Sequence, residues 1–335
     1  KLYRDKLKNR KITQIYNRFE KTLSINENLI VAVSGGPDSL ALSFLAKLYS
    51  IINKINVKFF VIDHKLRAES TVEAKFVRKI LKKNLINAEI LTWKGKKPFN
   101  NIQSIARKKR YELLFNKCKK FKINNILLGH HQDDLFENFF IRMLRGSGLK
   151  GLISLDKKIT IDKKNLIRPL LNHQKEDLIF ISKNVFDFYV DDPTNNDEKY
   201  KRIKIRKLMK ELQNEGLDKK KFLKTINNLK YSNMVVNFYV KRNIEKNTFF
   251  SKKNKQLIIK KNFFKQPYEV IFRALSESIK SVSKNYYLVR GKKIDKIISD
   301  IDNNQSFVAT LGGCIIEKVN QTVIISKEHW KTWSL

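Results

Sequence analysis

One stretch constrains this chain more than any other: Leu29-Ile30-Val31-Ala32-Val33-Ser34-Gly35-Gly36-Pro37-Asp38-Ser39. A five-residue apolar run, suited to a strand, stops at Ser-Gly-Gly. An apolar pattern with helical spacing follows from Leu40 to Leu48. The stretch therefore reads as strand, tight glycine turn and helix start. Backbone N–H groups in such a turn, with the positive end of the helix dipole, form an anion site. The glycines Gly35 and Gly36 allow close approach of the main chain to phosphate oxygens. Asp38 is placed to hold Mg²⁺, and Ser39 to cap the helix or touch a phosphate. The pattern points to a nucleotide site, although an ordinary capped strand-to-helix turn would look the same. The common P-loop is excluded, because no Lys-Ser/Thr follows at the required spacing.

The rest of the first half repeats this alternation. Strands are expected at 29–33, 57–62, 88–93 and 125–129, with helices at 38–49, 69–83, 102–119 and 132–145 and a basic helical lead-in over 1–28. Alternation of this kind specifies an α/β domain with a doubly wound parallel sheet. Ligands in such sheets sit at the carboxyl ends of the strands. The loop glycines, His64 and His130 all fall there. Residues 146–200 are less regular, with a helix expected at 174–184 and a polar, turn-rich loop at 191–197. A basic helical pattern runs from 199 to 243. Beyond 252, strands are expected around 258–259 and 287–289 and helices at 266–280 and 291–301. Three short strands follow at 307–311, 314–317 and 322–325. The expected organisation is a catalytic domain over 1–210, a basic helical linker over 211–250 and a small α+β domain over 251–335.

Charge restricts the partner. The 335 residues carry 70 Lys+Arg against 32 Asp+Glu, a formal net charge of +38. A Lys- and Asn-rich composition accounts for part of this excess, but a field of that sign favours a polyanion, and nucleic acid above all. The two cysteines, Cys118 and Cys314, make no C-x-x-C pair and suggest a reducing, cytoplasmic compartment. No apolar run reaches the ~18 residues of a membrane span, and the basic start lacks the apolar core of a signal peptide. No membrane partner is expected. The residues do not fix an oligomeric state, and a homodimer is among the options.

Three further clusters carry chemistry. Asp63-His64-x-x-Arg67 closes the second strand, where His64 and Arg67 can meet a base, ribose or phosphate. Arg107 and Arg110 stand three apart on one helix face and suit phosphate through their guanidinium forks. A solvated basic face would carry the same residues. The third cluster is Gly129-His130-His131-x-Asp133-Asp134-x-x-Glu137. Its pairs His130/Asp134 and Asp133/Glu137 are four apart, placing acids near the positive end of a helix. Such a group can bind Mg²⁺, attract a cationic substrate and remove a proton. Zinc fits less well, since no cysteine is near.

The Ser-Gly-Gly-x-Asp-Ser loop resembles that of the PP-loop ATP pyrophosphatases. With the other motifs, the chain more specifically resembles the tRNA(Ile)-lysidine synthase family. The resemblance is carried by Ser34–Ser39, Asp63-His64-Lys65-Leu66-Arg67, Ala106-Arg107-x-x-Arg110-Tyr111 and the acidic cluster at 129–137. It extends through Leu144-Arg145-Gly146-Ser147-Gly148, Arg168-Pro169-Leu170-Leu171 and Asp192-Pro193-Thr194-Asn195 to Tyr200-x-Arg202-x-x-x-Arg206. These occur in family order over roughly residues 29–206. The last domain resembles the family's first C-terminal domain, and a further domain of longer members has no counterpart within these residues. The chain departs from the family pattern at Leu135, in place of Gln, at Asn138, in place of Thr, and at Ile203, in place of Asn.

The resemblance implies a ligase that joins free L-lysine to C2 of the wobble cytidine of tRNA(Ile) with anticodon CAU. ATP is split to AMP and pyrophosphate through an adenylated base, and the product reads AUA as Ile instead of AUG as Met. The resemblance implies an ATP and Mg²⁺ site at Ser34, Gly35, Gly36, Pro37, Asp38, Ser39, His64 and Arg67, with Asp38 toward the metal. Catalytic roles fall to Asp38, His130, Asp133, Asp134 and Glu137. Contacts to tRNA or phosphate fall to Arg107, Arg110, Arg145, Arg202 and Arg206. A tRNA thiolation enzyme on the same loop would ordinarily need paired cysteines. A non-catalytic RNA-binding protein would leave the acids beside the loop without a purpose.

Overall fold

The structure is a computed structural model that describes residues 2–67, 69–95, 102–190, 201–284 and 291–328. The expected loop at 191–197, with its Asp192-Pro193-Thr194-Asn195 motif, and the expected strand at 287–289 lie outside these residues. The chain divides into two compact units, Lys1–Asp218 and Lys219–Leu335.

The first unit opens with α1 (Leu2–Lys6) and α2 (Arg10–Leu23). It continues with β1 (Leu29–Val33), α3 (Pro37–Ile52), β2 (Val57–Asp63), α4 (Ser70–Lys83), β3 (Ala88–Thr92), α5 (Ile102–Phe121), β4 (Asn125–Leu127) and α6 (Gln132–Met143). The short α7 (Leu149–Leu152), a β5–β6 hairpin (Lys158–Ile161, Lys164–Ile167), α8 (Lys175–Phe186) and α9 (Lys201–Asn214) complete it. Local chemistry fixes several of these elements. Asn9 caps α2 by accepting from the backbone N–H of Lys11 and Ile12. Ile12, Ile15, Tyr16, Phe19 and Leu23 then form one buried stripe along it. Pro37 occupies the first turn of α3, where its missing N–H costs nothing.

The sheet order is β3-β2-β1-β4-β6-β5. The four expected strands pair in parallel, as does β6 with β4, while β5 is antiparallel to β6. The expected parallel sheet therefore gains an antiparallel edge. The β5–β6 hairpin turns at Asp162 and Lys163, both at positive φ (46° and 62°), as a tight two-residue hairpin requires. Alternate residues of β1 feed two cores. Leu29, Val31 and Val33 join the core built on α2 and α3, whereas Ile30 joins Phe60, Leu114, Ile126 and Leu166 on the other face. A strand buried on both faces explains the unbroken apolar run of the sequence. Because β2 lies on one side of β1 and β4 on the other, the chain reverses its winding at β1, where a crevice opens beyond the strand ends.

The second unit holds the long α10 (Lys219–Asn247), α11 (Tyr268–Ser283), α12 (Gly291–Asn303) and a sheet of order β7-β8-β11-β10-β9. Those strands span Thr248–Ser251, Gln256–Ile259, Phe307–Leu311, Cys314–Val319 and Thr322–Lys327 in chain order, and all their pairings are antiparallel. Helix α10 is tied into this unit by polar contacts as well as packing. Arg273 of α11 donates to Asn233 (2.6 Å) and Asn237 (3.1 Å) of α10, and Asn243 donates to the Phe263 carbonyl (3.1 Å). Among the described residues no helix is long and apolar enough to cross a membrane.

Candidate active site at the ends of β1, β2 and β4

The loop after β1 is locked by one hydroxyl. Ser39 Oγ donates to the Gly36 carbonyl (3.0 Å) and accepts from the backbone N–H of Ser34 (3.1 Å) and Gly35 (3.0 Å). Two of the N–H groups expected to cradle phosphate are thus turned onto Ser39. The first-turn N–H groups of Asp38 and Ser39 have no intrahelical acceptor and are the donors a helix start offers an anion. Gly35 sits at φ +91°, and its carbonyl accepts from Val190 N–H (3.0 Å). Gly129, after β4, lies so close to α3 that an added Cβ would stand 3.3 Å from the backbone of Asp38 and Ser39. Glycine at 129 therefore lets the β4 end meet the β1 loop.

The acids converge from α3 and α6. The helix α6 starts at Gln132, with His131 as its N-cap. His131 Nδ1 accepts from the Asp133 N–H (3.3 Å), and Asp134 Oδ2 accepts from the His131 N–H (2.9 Å). His130 therefore precedes the helix, and the expected four-residue helical spacing between His130 and Asp134 does not apply. Instead His131 stands between acids, its Nε2 3.6 Å from Asp38 Oδ2 and 3.7 Å from Asp134 Oδ2. Burial raises the Asp38 carboxyl above the usual carboxylate range, and Asp134 adds to the rise against the pull of His131. Burial acts the same way on Asp134, but His131, His130 and the backbone N–H outweigh it and hold that carboxyl low. One turn on, buried Glu137 pairs with Arg206 of α9. Burial pushes the Glu137 carboxyl up, while Arg206 opposes the rise.

This pair gives a stability prediction. A carboxyl raised in the folded state favours folding below its unfolded value of about 4.3, and that contribution is lost as pH rises through the folded value. Removing Arg206 raises Glu137 further. Arg206→Ala is expected to cost about 3 kcal/mol at pH 8, the low end for a broken buried pair because Arg206 is a third exposed. The cost should shrink at pH 5. Thermal unfolding at both pH values checks this; an equal loss at each would contradict the assignment.

A second set of residues at the site is basic. Arg110 Nη2 lies 3.2 Å from His64 Nε2, so the guanidinium donates and His64 accepts. Burial and then Arg110 lower His64 to about 4. His130 is likewise lowered to about 4, by burial first, with Arg168, Arg107 and Arg202 adding to it. Both imidazoles are therefore neutral at pH 7. Asp63 is structural: it accepts from Lys65 N–H, Ser70 and Thr71 and so shapes the His64–Arg67 turn.

A cavity of about 390 Å³ takes in residues of both sets. Ser34, Asp38, Ser39, His64, Arg67, Arg110, His130, Asp134 and Arg202 border it. Gly35, Gly36 and Pro37 shape the loop behind them. Asp133, Glu137, Arg107 and Arg206 are not among the lining residues, although Glu137 and Arg206 stand beside Asp134 electrostatically. Arg145 is exposed in the turn after α6, away from the cavity lining. Two motif residues without an assigned role gain one from the structure. His131 stands near both Asp38 and Asp134, and Arg168, buried at 2% exposure, donates to the Asp156 carbonyl (2.6 Å) while its Nε has no partner. Ile203 is core here, packed on the buried side of α9. Asp38 Oδ1 and Glu137 Oε2 are buried carboxylate oxygens without hydrogen-bond partners, as suits a site for a cation. No group of three His, Cys, Asp or Glu among the described residues forms a metal site by itself. A hard cation here would need further oxygens from a substrate, as Mg²⁺ at phosphates does.

Comparison with known proteins identifies the family. A PP-loop domain family matches residues 5–212. A tRNA(Ile)-lysidine synthase of Orientia tsutsugamushi (strain Boryong) is 35% identical over 316 residues, covering 92% of this chain and 71% of the relative. One of Wolbachia pipientis wMel is 31% identical over 306 residues, covering 90% and 71%. Among solved structures, a U34-tRNA thiolase of Methanococcus maripaludis, solved with its iron–sulfur cluster, superposes with a TM-score of 0.56. It is 19% identical and covers 65% of this chain and 79% of its own, a likeness of fold alone. With its PP-loop domain and relatives above 30% identity along nine-tenths of its length, this chain belongs to the tRNA(Ile)-lysidine synthase family.

Proposed function

We propose that the protein ligates lysine to C2 of the wobble cytidine of tRNA(Ile) bearing a CAU anticodon. The carrying observation is that one cavity beside the β1 loop is bordered both by the acids Asp38 and Asp134 and by arginines and neutral histidines. Acids that attract a cationic amine and arginines that attract an anionic nucleic acid then border one nucleotide site.

In the first step the cytosine O2 attacks the α-phosphorus, the α–β bridging bond breaks and pyrophosphate leaves. The helix-start N–H groups hold phosphate oxygens as charge shifts toward the leaving group, on a loop whose shape the Ser39 hydroxyl keeps through Gly36, Ser34 and Gly35. Asp38 would hold Mg²⁺, which would offset that charge. In the second step the neutral ε-amine of lysine attacks C2 and AMP leaves, carrying the former cytosine oxygen. Asp134, held ionised, attracts the lysine ammonium. Glu137, raised by burial, takes the proton that must leave before nitrogen can attack. His130 and His64, neutral at pH 7, serve as hydrogen-bonding groups. Arg67, Arg110 and Arg202, which border the cavity, steady phosphate or the RNA backbone, Arg206 holds Glu137, and the target base is splayed out of its loop to reach C2.

A thiolation reading finds no support in the cysteines. Cys118 and Cys314 are each buried in the core of a different unit. Incubation with ATP, labelled lysine and unmodified tRNA(Ile) tests the proposal. Label should enter the RNA only with ATP present and only when the anticodon begins with cytidine. Labelling of a transcript with uridine at that position would overturn it.

A further inference from the structure

We propose that His131 is a positioning residue whose Nε2–H, set between Asp38 of α3 and Asp134 of α6, holds these two carboxylates at their working separation. The inference deepens the reading above and rests on it for the reaction, but not for the geometry.

The ring is fixed from both ends. It is 4% exposed at the start of α6. Its Nδ1 accepts the Asp133 N–H at 3.3 Å, so the ring proton lies on Nε2. Nε2 then faces Asp38 Oδ2 at 3.6 Å and Asp134 Oδ2 at 3.7 Å. Both distances are too long for a hydrogen bond and nearly equal. Nε2 is thus about equally near both oxygens, and its N–H acts on both carboxylates as a dipole without being hydrogen-bonded to either. Asp38 and Asp134 border the cavity, whereas His131 does not. It therefore acts through the acids. Without the N–H, two like charges from separate elements would repel, and α3 and α6 would present them further apart.

Two substitutions separate this role from helix capping. In His131→Asn a short amide can still accept the Asp133 N–H but reaches neither carboxylate. In His131→Gln a longer amide can place N–H near the Nε2 position while weakening the cap. The expected outcome is a folded His131→Asn protein with activity and apparent Mg²⁺ affinity lowered about 10–100-fold, the usual loss when a group orienting metal-binding residues is removed. His131→Gln should recover part of both. Nitrogen-15 spectra of the ligand-free protein should show His131 as the Nε2–H tautomer. An Nδ1–H tautomer would overturn the proposal. So would wild-type kcat and Mg²⁺ requirement in His131→Asn together with impairment in His131→Gln, the order a pure cap produces. Absence of lysine transfer by the wild-type protein would refute the reaction instead, and the spectrum would still decide the role of His131.

Discussion

Gly35→Ala is expected to abolish ATP-dependent activity, with a loss of at least about 100-fold. Gly35 holds φ +91°, a conformation that costs an L-residue roughly 1–3 kcal/mol. The added Cβ would meet Val77 Cγ2 at 2.6 Å and Val190 Cγ2 at 3.0 Å. Overpacking of that kind adds about 1–3 kcal/mol. Relief requires the loop to move, and the loop is the element that Ser39 pins through Ser34 and Gly35. Asp38 follows directly, so displacement moves phosphate donors and carboxylate together, and a shift of about 1 Å in a reacting geometry suffices for a loss near 100-fold. The contrast is Gly36→Ala. An added Cβ there has no protein atom within 4 Å, so that change should leave the stability of the fold near wild type. Thermal unfolding measured on both variants checks the pair, with pyrophosphate release measured on Gly35→Ala; comparable losses of stability in the two would contradict the account.

The second large effect separates the two chemical steps. Glu137→Gln keeps the shape of the side chain and removes its ability to take a proton. If Glu137 deprotonates the lysine ammonium, transfer of lysine to pre-adenylated RNA should fall about 100- to 10,000-fold, the usual contribution of a general base. ATP–pyrophosphate exchange with the RNA should stay within about tenfold of wild type. The reverse pattern, lost exchange with intact lysine transfer, would move Glu137 to the first step. Asp38→Asn is the complementary change, since Asp38 follows the β1 loop and its Oδ1 is buried without a partner. It should lose exchange first.

Much of this site was legible in the sequence because the signals were local. The run Leu29–Val33 is buried on both faces, so its unbroken apolarity marks a central strand, and Ser34–Ser39 announces the turn by composition alone. The β5–β6 hairpin was illegible for an equally local reason. Its strands are four residues each, and its turn uses Asp162 and Lys163 at positive φ, with no glycine to announce it. His131 stands beside His130 in the motif, and spacing does not tell the two apart. Only the start of α6 at Gln132 makes His131 the N-cap, with its ring 3.7 Å from Asp134. Arg168 was visible as part of a motif, but its role depends on burial and on a contact to Asp156, neither of which a sequence displays. The cavity as a whole depends on β1, β2 and β4 ending side by side, a consequence of the strand order.

The central claim is that the loop after β1 serves transfer of AMP to a cytosine oxygen. Its most direct test is to incubate the protein with ATP labelled at the α-phosphate and tRNA(Ile) bearing CAU, without lysine, and to follow the label. The account predicts label on the RNA at the wobble cytidine, released as AMP when lysine is added. Label that never leaves the nucleotide pool, or that reaches the RNA equally well when the wobble cytidine is replaced, would contradict it.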